Sequence, residues 1–233
     1  MTLAIFDLDN TLLAGDSDYL WGEFLVERGI VDGKAYKLEN DRFYQDYRAG
    51  RLDIFAFQRF SLRPLRDNTM ENLLDWRREF LESKILPIIS PQSRQLVEKH
   101  RNAGDTLLII TATNAFVTSP IAQQFGIDHL IATEPERLDG HYTGEVEGEP
   151  SFKQGKVNRL RDWLHNHQED LRGSWFYSDS HNDLPLLEAV EHPVAVDPDE
   201  ILSGIARERN WRILQLMVDP RKQALAGQEI HYG

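Results

Sequence analysis

Four apolar residues near the N-terminus, Leu3-Ala4-Ile5-Phe6, run uninterrupted into Asp7-Leu8-Asp9-Asn10-Thr11. Such a run reads as a short buried strand. Side chains alternate along an extended backbone, so Asp7 and Asp9 point the same way while Leu8 faces the core. Two like charges at a strand end repel each other and shift each other's pKa unless a cation lies between them. A divalent metal and a charged substrate would satisfy both carboxylates, and that combination points to phosphoryl transfer.

The rest of the chain divides by pattern. At 233 residues there is room for one sizeable domain, or for a core with a smaller insertion. After Thr11 the spacing turns helical: Asp18 to Glu27 carries Tyr19, Leu20, Trp21, Phe24 and Leu25, and Lys34 to Arg48 ends at Gly50. Asp53 can cap a helix through Phe60, and Asn68 can cap another reaching Lys84. Pro87 and Pro91 break this block, so residues 14–86 are expected to form a helical cap inserted after the first strand.

From Pro91 onward strands and helices alternate. Helix to about Asn102 is followed by strand Thr106–Ile110, a helix from about Phe116, and strand His129–Ala132. Asp139-Gly140 marks a hairpin turn. A helix from Lys156 to His167, strand Trp175–Ser178, helix Asp183 to Val190, strand Val194–Val196, a helix through Arg207 and an edge strand Trp211–Leu216 complete the order. Such alternation predicts an α/β fold, a Rossmann-like parallel sheet covered on both faces. Its core would comprise residues 1–13 and 87–218, with 219–233 a loosely held polar tail.

Composition narrows the function. A net charge of −12 argues against nucleic-acid binding, which relies on clustered Lys and Arg. No apolar run approaches membrane-spanning length, and the N-terminus enters a strand directly without a signal-like segment. With no cysteine there is no thiolate ligand or cysteine nucleophile, and a reducing cytoplasmic location is expected. The expected partner is a small phosphate monoester, with no nucleic acid and no membrane, acting on a monomer or homodimer.

Ligands of open parallel sheets bind beyond the carboxyl ends of the strands. There the first strand delivers Asp7 and Asp9, the second Thr111-Ala112-Thr113-Asn114, and a later one Ser178-Asp179-Ser180-His181-Asn182-Asp183. Asp7 is the expected nucleophile, and Asp9 the acid that protonates the leaving group and then activates water. Mg²⁺ would bind Asp7, Asp179 and the backbone carbonyl of Asp9. Asp183 and Asn182 would stand behind them. Thr111 and the following N–H groups could cradle phosphate, with Thr113 competing for that place. Lys156 after Gly155 is the first choice for the balancing lysine and Lys153 the second.

These motifs, Asp7-Leu8-Asp9-Asn10-Thr11, the strand into Thr111, Lys156 after Gly155, and Asp179 with Asn182-Asp183, resemble the haloacid-dehalogenase superfamily of phosphohydrolases. A helical insertion directly after the first motif is similar to the phosphoserine-phosphatase branch. That resemblance implies a Rossmann-like core, a small helical cap, Mg²⁺ and an aspartyl-phosphate. Two departures are Ser178 where glycine usually precedes the aspartate, and two lysines, Lys153 and Lys156, where one is usual.

In that branch an acidic residue after the nucleophile meets a substrate amine and a cap arginine meets a carboxylate. Asp16 and Arg59 fall at similar positions, and Asp18 adds a second acid. Asp16, Asp18, Arg59, Thr113 and Asn114 are therefore the candidate substrate contacts. Acids beside Tyr19 and Trp21 suit a cationic planar group. Within this branch that pattern resembles histidinol-phosphate phosphatases, a resemblance that implies histidinol phosphate as the first expected substrate and phosphoserine as the second. A phosphotransferase or phosphomutase would share the same core residues.

Overall fold

The computed structural model describes residues 2–217. The tail expected at 219–233 lies outside the described residues. In chain order the strands are β1 (Leu3–Phe6), β2 (Thr106–Asn114), β3 (His129–Thr133), β4 (Pro135–Leu138), β5 (His141–Val146), β6 (Trp175–Ser178), β7 (His192–Val196) and β8 (Arg212–Leu214). The helices are α1 (Ser17–Glu27), α2 (Gly33–Arg48), α3 (Ile54–Ser61), α4 (Arg63–Arg66), α5 (Met70–Phe80), α6 (Pro91–Ala103), α7 (Ala115–Gln124), α8 (Gln154–His167), α9 (Leu184–Leu187) and α10 (Glu200–Glu208).

β1 has no exposed residue, so both of its edges and both of its faces must be covered. β2 and β6 pair with it in parallel on either side, giving the six-stranded order β3-β2-β1-β6-β7-β8. The period of two then sorts its side chains. Ala4 and Phe6 join one hydrophobic cluster, and Leu3 and Ile5 the other. The second cluster is closed by Leu160 of α8, Leu186 and Leu187 of α9, and Leu202 and Ala206 of α10. The first runs through Val97 of α6 and Ile121 of α7 into Trp21, Phe24 and Phe80 of the segment after β1. That segment is thus packed onto the core through aromatic contacts; the Trp21 ring meets that of Phe116 in α7 edge-on at 6.0 Å.

Between β1 and α6 the regular elements among the described residues are all helical, apart from a single bridge at the two ends of this segment. Asp16, Asp32, Asp53 and Thr69 each accept backbone N–H bonds at the start of α1, α2, α3 and α5. The chain enters and leaves this insertion at one place, where Leu13 and Ile89 form an antiparallel bridge and Ala14 N–H donates to the Ile88 carbonyl at 2.9 Å. The hairpin β4–β5 turns on Asp139 and Gly140, both at positive φ, as an Asp-Gly turn requires.

Several element bounds depart from the sequence reading. β2 does not stop at Ile110 but runs to Asn114, because β3 continues to pair with it across a register shift as far as Asn114–Thr133. Thr69, not Asn68, caps α5; the Asn68 amide instead donates to the Pro64 carbonyl at 2.9 Å. The same helix does not reach Lys84 as one α-helix. After Phe80 it widens into a single π turn over Leu81–Ile85 and tightens over Leu86–Ile88, where Pro87 lacks an N–H to continue it. The helix expected over 183–190 shrinks to α9 behind a 3₁₀ turn at His181–Asp183. β8 is shorter than expected and pairs with β7 in parallel.

α8 begins on a tight turn. A Cβ added at Gly155 would stand 2.1 Å from the Pro150 carbonyl oxygen, a contact that only backbone movement could relieve. Gly155→Ala is therefore expected to lower stability by about 2 kcal/mol or more, as overpacking does. Denaturant unfolding measures it, and a loss under about 0.5 kcal/mol would contradict this geometry.

Candidate active site

Because β1 lies between β2 and β6, the carboxyl ends of these three strands adjoin. The chain order also reverses at β1, and in open sheets the crevice beyond such a point is where ligands bind. Asp7 N–H donates to the Tyr177 carbonyl at 2.9 Å, carrying the pairing one residue past the strand. The chain then folds back: the N–H groups of Leu12 and Leu13 both reach the Leu8 carbonyl, and Asn10 takes φ +56°. Asparagine tolerates that left-handed conformation better than most residues. The turn returns Thr11 to the strand end, where its hydroxyl lies 3.4 Å from Asp7 Oδ2 and 3.1 Å from Asp179 Oδ1. The same oxygen accepts the Asp179 N–H at 3.0 Å.

Of the two candidate lysines, Lys156 is the one in the cavity. Its Nζ donates to Asp7 Oδ1 at 2.7 Å and to Asp183 Oδ2 at 2.8 Å, with the residue 3% exposed. Ser178, at the position where glycine was expected, donates to the same Asp183 oxygen at 2.8 Å. Lys153 turns away and donates to the Gly50 carbonyl at 2.7 Å.

The Asp9 carboxylate is held apart from this pair. Ser17 N–H donates to Oδ1 at 2.6 Å, Thr113 Oγ1 to Oδ2 at 2.7 Å, and Thr111 Oγ1 lies 3.4 Å from Oδ2. Thr111 also accepts the Thr113 N–H at 3.2 Å. Both threonines of β2 thus orient Asp9.

Asp7, Asp9, Thr111, Thr113, Lys156, Asn182 and Asp183 line a cavity whose far wall is the insertion. Asp16 and Asp18 line it too. Asp16 caps α1 through the N–H groups of Asp18 and Tyr19, whereas Asp18 Oδ2 is buried with no hydrogen-bond partner. Aromatic side chains Tyr19, Phe43, Tyr44, Tyr47, Phe57 and Phe152 complete the walls. Trp21 and Phe24 are core residues instead, 1% and 2% exposed.

Two candidate contacts do not reach the cavity. Arg59 points outward and is exposed, because the buried face of α3 is taken by Gln58 and Phe60; Gln58 Nε2 donates to the Ala112 carbonyl at 3.4 Å. Asn114 caps α7, its Oδ1 accepting the Val117 N–H at 3.2 Å. His181 is likewise engaged, by Asp199 Oδ2 at 2.8 Å from both its N–H and its Nδ1. The residues that sequence reasoning missed are Phe43, Tyr44 and Tyr47 of α2. Their spacing places three aromatics on one helix face, a signal indistinguishable from core packing until the sheet is present.

Burial and mutual repulsion raise the acids of this site. Burial pushes Asp7 up to about 7, against the lowering effect of Lys156 and with Asp183 and Asp9 adding to the rise. Asp16 is also pushed up to about 7, by burial and by Asp9. Asp18 and Asp179 are raised well above the carboxylate range by burial and by neighbouring aspartates. Burial alone would lower Lys156, but Asp183 and Asp7 outweigh it and hold the ammonium charged. Burial, then Asp179, Asp7 and Asp183, likewise keep the Tyr47 hydroxyl protonated.

A family model described as haloacid dehalogenase-like hydrolase matches residues 4–188. The chain belongs to that family. Among curated relatives, a histidinol-phosphatase of Neisseria meningitidis is 47% identical over 216 residues, covering 91% of this chain and 97% of the relative. A phosphoserine phosphatase of Mycobacterium tuberculosis is 31% identical over 227 residues, 96% of this chain and 73% of that protein. A protein of unknown function from Bordetella pertussis shares 44% identity with a TM-score of 0.88, over 93% of this chain and 100% of that one. A phosphoserine phosphatase solved as a phospho-aspartyl intermediate analogue shares the fold, with a TM-score of 0.68 at 18% identity over 97% and 98% of the two chains. Among the described residues no helix is long and apolar enough to cross a membrane.

An acid whose pKa is higher folded than unfolded binds its proton more tightly in the native state. Its stabilisation is complete below the unfolded value and is lost as pH rises through the folded one. Asp7 and Asp16 place that loss between about 4 and about 7. Without divalent cations the melting temperature is expected to fall from pH 5 to pH 8, and less steeply in Asp16→Asn, which keeps the helix cap. Equal slopes in the two proteins would contradict this assignment.

Proposed function

We propose that this phosphatase removes the phosphoryl group from histidinol phosphate, with the insertion over residues 14–88 acting as the cap that selects the alcohol. What carries the reading is the charge of the cavity. Its described walls hold five aspartates, Asp7, Asp9, Asp16, Asp18 and Asp183, and one cation, Lys156, already shared between two of them. A substrate whose non-phosphate end is cationic fits such walls. Asp18 Oδ2, buried without a partner, supplies an acceptor for an ammonium or imidazolium N–H, and the aromatic walls suit a flat cationic ring. Phosphoserine fits less well, since its carboxylate needs a cation and Arg59 lies outside. The 47% identity to a histidinol-phosphatase supports the same choice.

Residues in the site fit a hard divalent cation. Asp7 and Asp179 share one Thr11 hydroxyl, whose single proton can serve only one of them at a time. Among the described residues no three acidic or histidine side chains converge as a metal cluster. Two carboxylates, a backbone carbonyl at Asp9 and water would be the donor set, which suits Mg²⁺. Bound there, Mg²⁺ supplies charge neutralisation for the dianionic ester.

In the proposed reaction a carboxylate oxygen of Asp7 attacks phosphorus as the bond to the ester oxygen breaks, giving an acyl phosphate and the free alcohol. Asp9, oriented by Ser17 and Thr113, gives its proton to the leaving oxygen. It then takes a proton from the water that attacks the acyl phosphate, releasing inorganic phosphate and Asp7. Lys156 holds the Asp7 carboxylate in place and offsets charge on the transferring group.

Phosphate release from histidinol phosphate, phosphoserine and p-nitrophenyl phosphate tests the assignment. Asp18→Asn is expected to raise KM for histidinol phosphate by about 30-fold or more, consistent with loss of a charge-assisted bond, while changing p-nitrophenyl phosphate turnover less than about threefold. Equal losses on both would remove Asp18 from substrate recognition. Chelation with EDTA should abolish turnover of every ester, with Mg²⁺ restoring it; activity unaffected by the chelator would exclude the metal.

A further inference from the structure

Lys153 is left over from the catalytic set, yet its backbone is unusual. It takes φ +49° and ψ −119°, a region costly for any side chain, immediately before α8. Its ammonium crosses to the insertion and donates to the carbonyl of Gly50, just past the end of α2. One turn earlier, the Tyr47 carbonyl accepts Asn182 Nδ2 at 3.2 Å, and the Tyr47 ring rests 6.2 Å from that of Phe152. Gly50 itself sits so close to the core that an added Cβ would lie 2.7 Å from His181 Nε2. The end of α2 is therefore held by the two core segments that carry Lys156 and Asp183.

What this seating delivers is the Tyr47 side chain. It lines the cavity beside Asp7, Lys156 and Asp183, its hydroxyl meeting the Ser180 side chain near Asp179, Asp7 and Asp183. Lys153 cannot serve substrate directly, since its ammonium is engaged by Gly50 and it is absent from the cavity walls.

We propose that Tyr47 donates its hydroxyl proton in a hydrogen bond to a phosphoryl oxygen of the bound ester, and that Lys153 and Asn182 are positioning residues that seat it. The proposal rests on the phosphatase reading above, but not on which alcohol is released. It makes the phosphate end of the site incomplete until the insertion is in place. Selection of the alcohol by Asp18 and selection of the phosphate by Tyr47 then come from different helices of the same insertion.

The test is a double-mutant cycle of Tyr47→Phe and Lys153→Met, with Lys153→Arg as the rescue, on p-nitrophenyl phosphate and histidinol phosphate. Tyr47→Phe keeps the ring against Phe152 and should lower kcat/KM about 10- to 100-fold on both esters, the scale of one hydrogen bond to a charged group. It should also weaken competitive inhibition by inorganic phosphate. Lys153→Met should act in the same direction, lose most of its effect in the Tyr47→Phe background, and be largely restored by arginine. Thermal unfolding of each variant separates these effects from misfolding. Turnover by Tyr47→Phe within twofold of the parent on both esters, or independent effects that multiply in the double mutant, would overturn the proposal alone. A parent protein that hydrolyses neither ester would bring down the functional reading together with it.

Discussion

The buried ammonium of Lys156 is the interaction on which the site's assembly rests. A lysine 3% exposed would be untenable alone, because desolvating a charge costs far more than packing its stem returns. It is tolerated because Asp7 and Asp183 both accept hydrogen bonds from it. That contact ties three separate parts of the chain, the end of β1, the turn after β6 and the first turn of α8, to one point. Removing Lys156 would leave two buried carboxylates facing each other without a cation, whereas removing both carboxylates would strand the ammonium.

A second constraint is the excess of acid that remains after Lys156 is accounted for. Thr11 mediates between Asp7 and Asp179 without neutralising either. A divalent cation would relieve that repulsion, and under the proposed function a cationic substrate would meet the remaining acids, Asp16 and Asp18, at the other end of the cavity. In the proposed reading a bound divalent cation together with Lys156 would offset the ester's charge, and the acid left over is the reason the released alcohol is expected to be cationic.

Much of this is legible in the amino-acid sequence. Asp7, Asp9, Thr111, Lys156, Asp179 and Asp183 were readable because each stands at the end of a strongly patterned element. The parallel sheet then brings those ends together by topology. Choosing Lys156 over Lys153 was not decided by composition; it depended on the tight turn at Gly155, which points one lysine inward and the other toward the insertion. Asn114 is misread because a side chain at a strand end can cap the following helix as readily as it can face a cavity, and Arg59 for a different reason. Helical periodicity leaves rotation uncertain by a residue, and at α3 that difference buries Gln58 and exposes its neighbour. Tyr47 was invisible because an aromatic facing a cavity and one facing a core look alike in one dimension.

The bridge between Leu13 and Ile89 has a further implication. Since the insertion departs and returns through adjacent residues, the sheet needs nothing from it to connect β1 to α6. A short turn could join those ends at little entropic cost. The cost of exchanging the intervening helices therefore lies not in the connection but in the aromatic side chains they bury against the sheet and in the Ser17 N–H that holds Asp9.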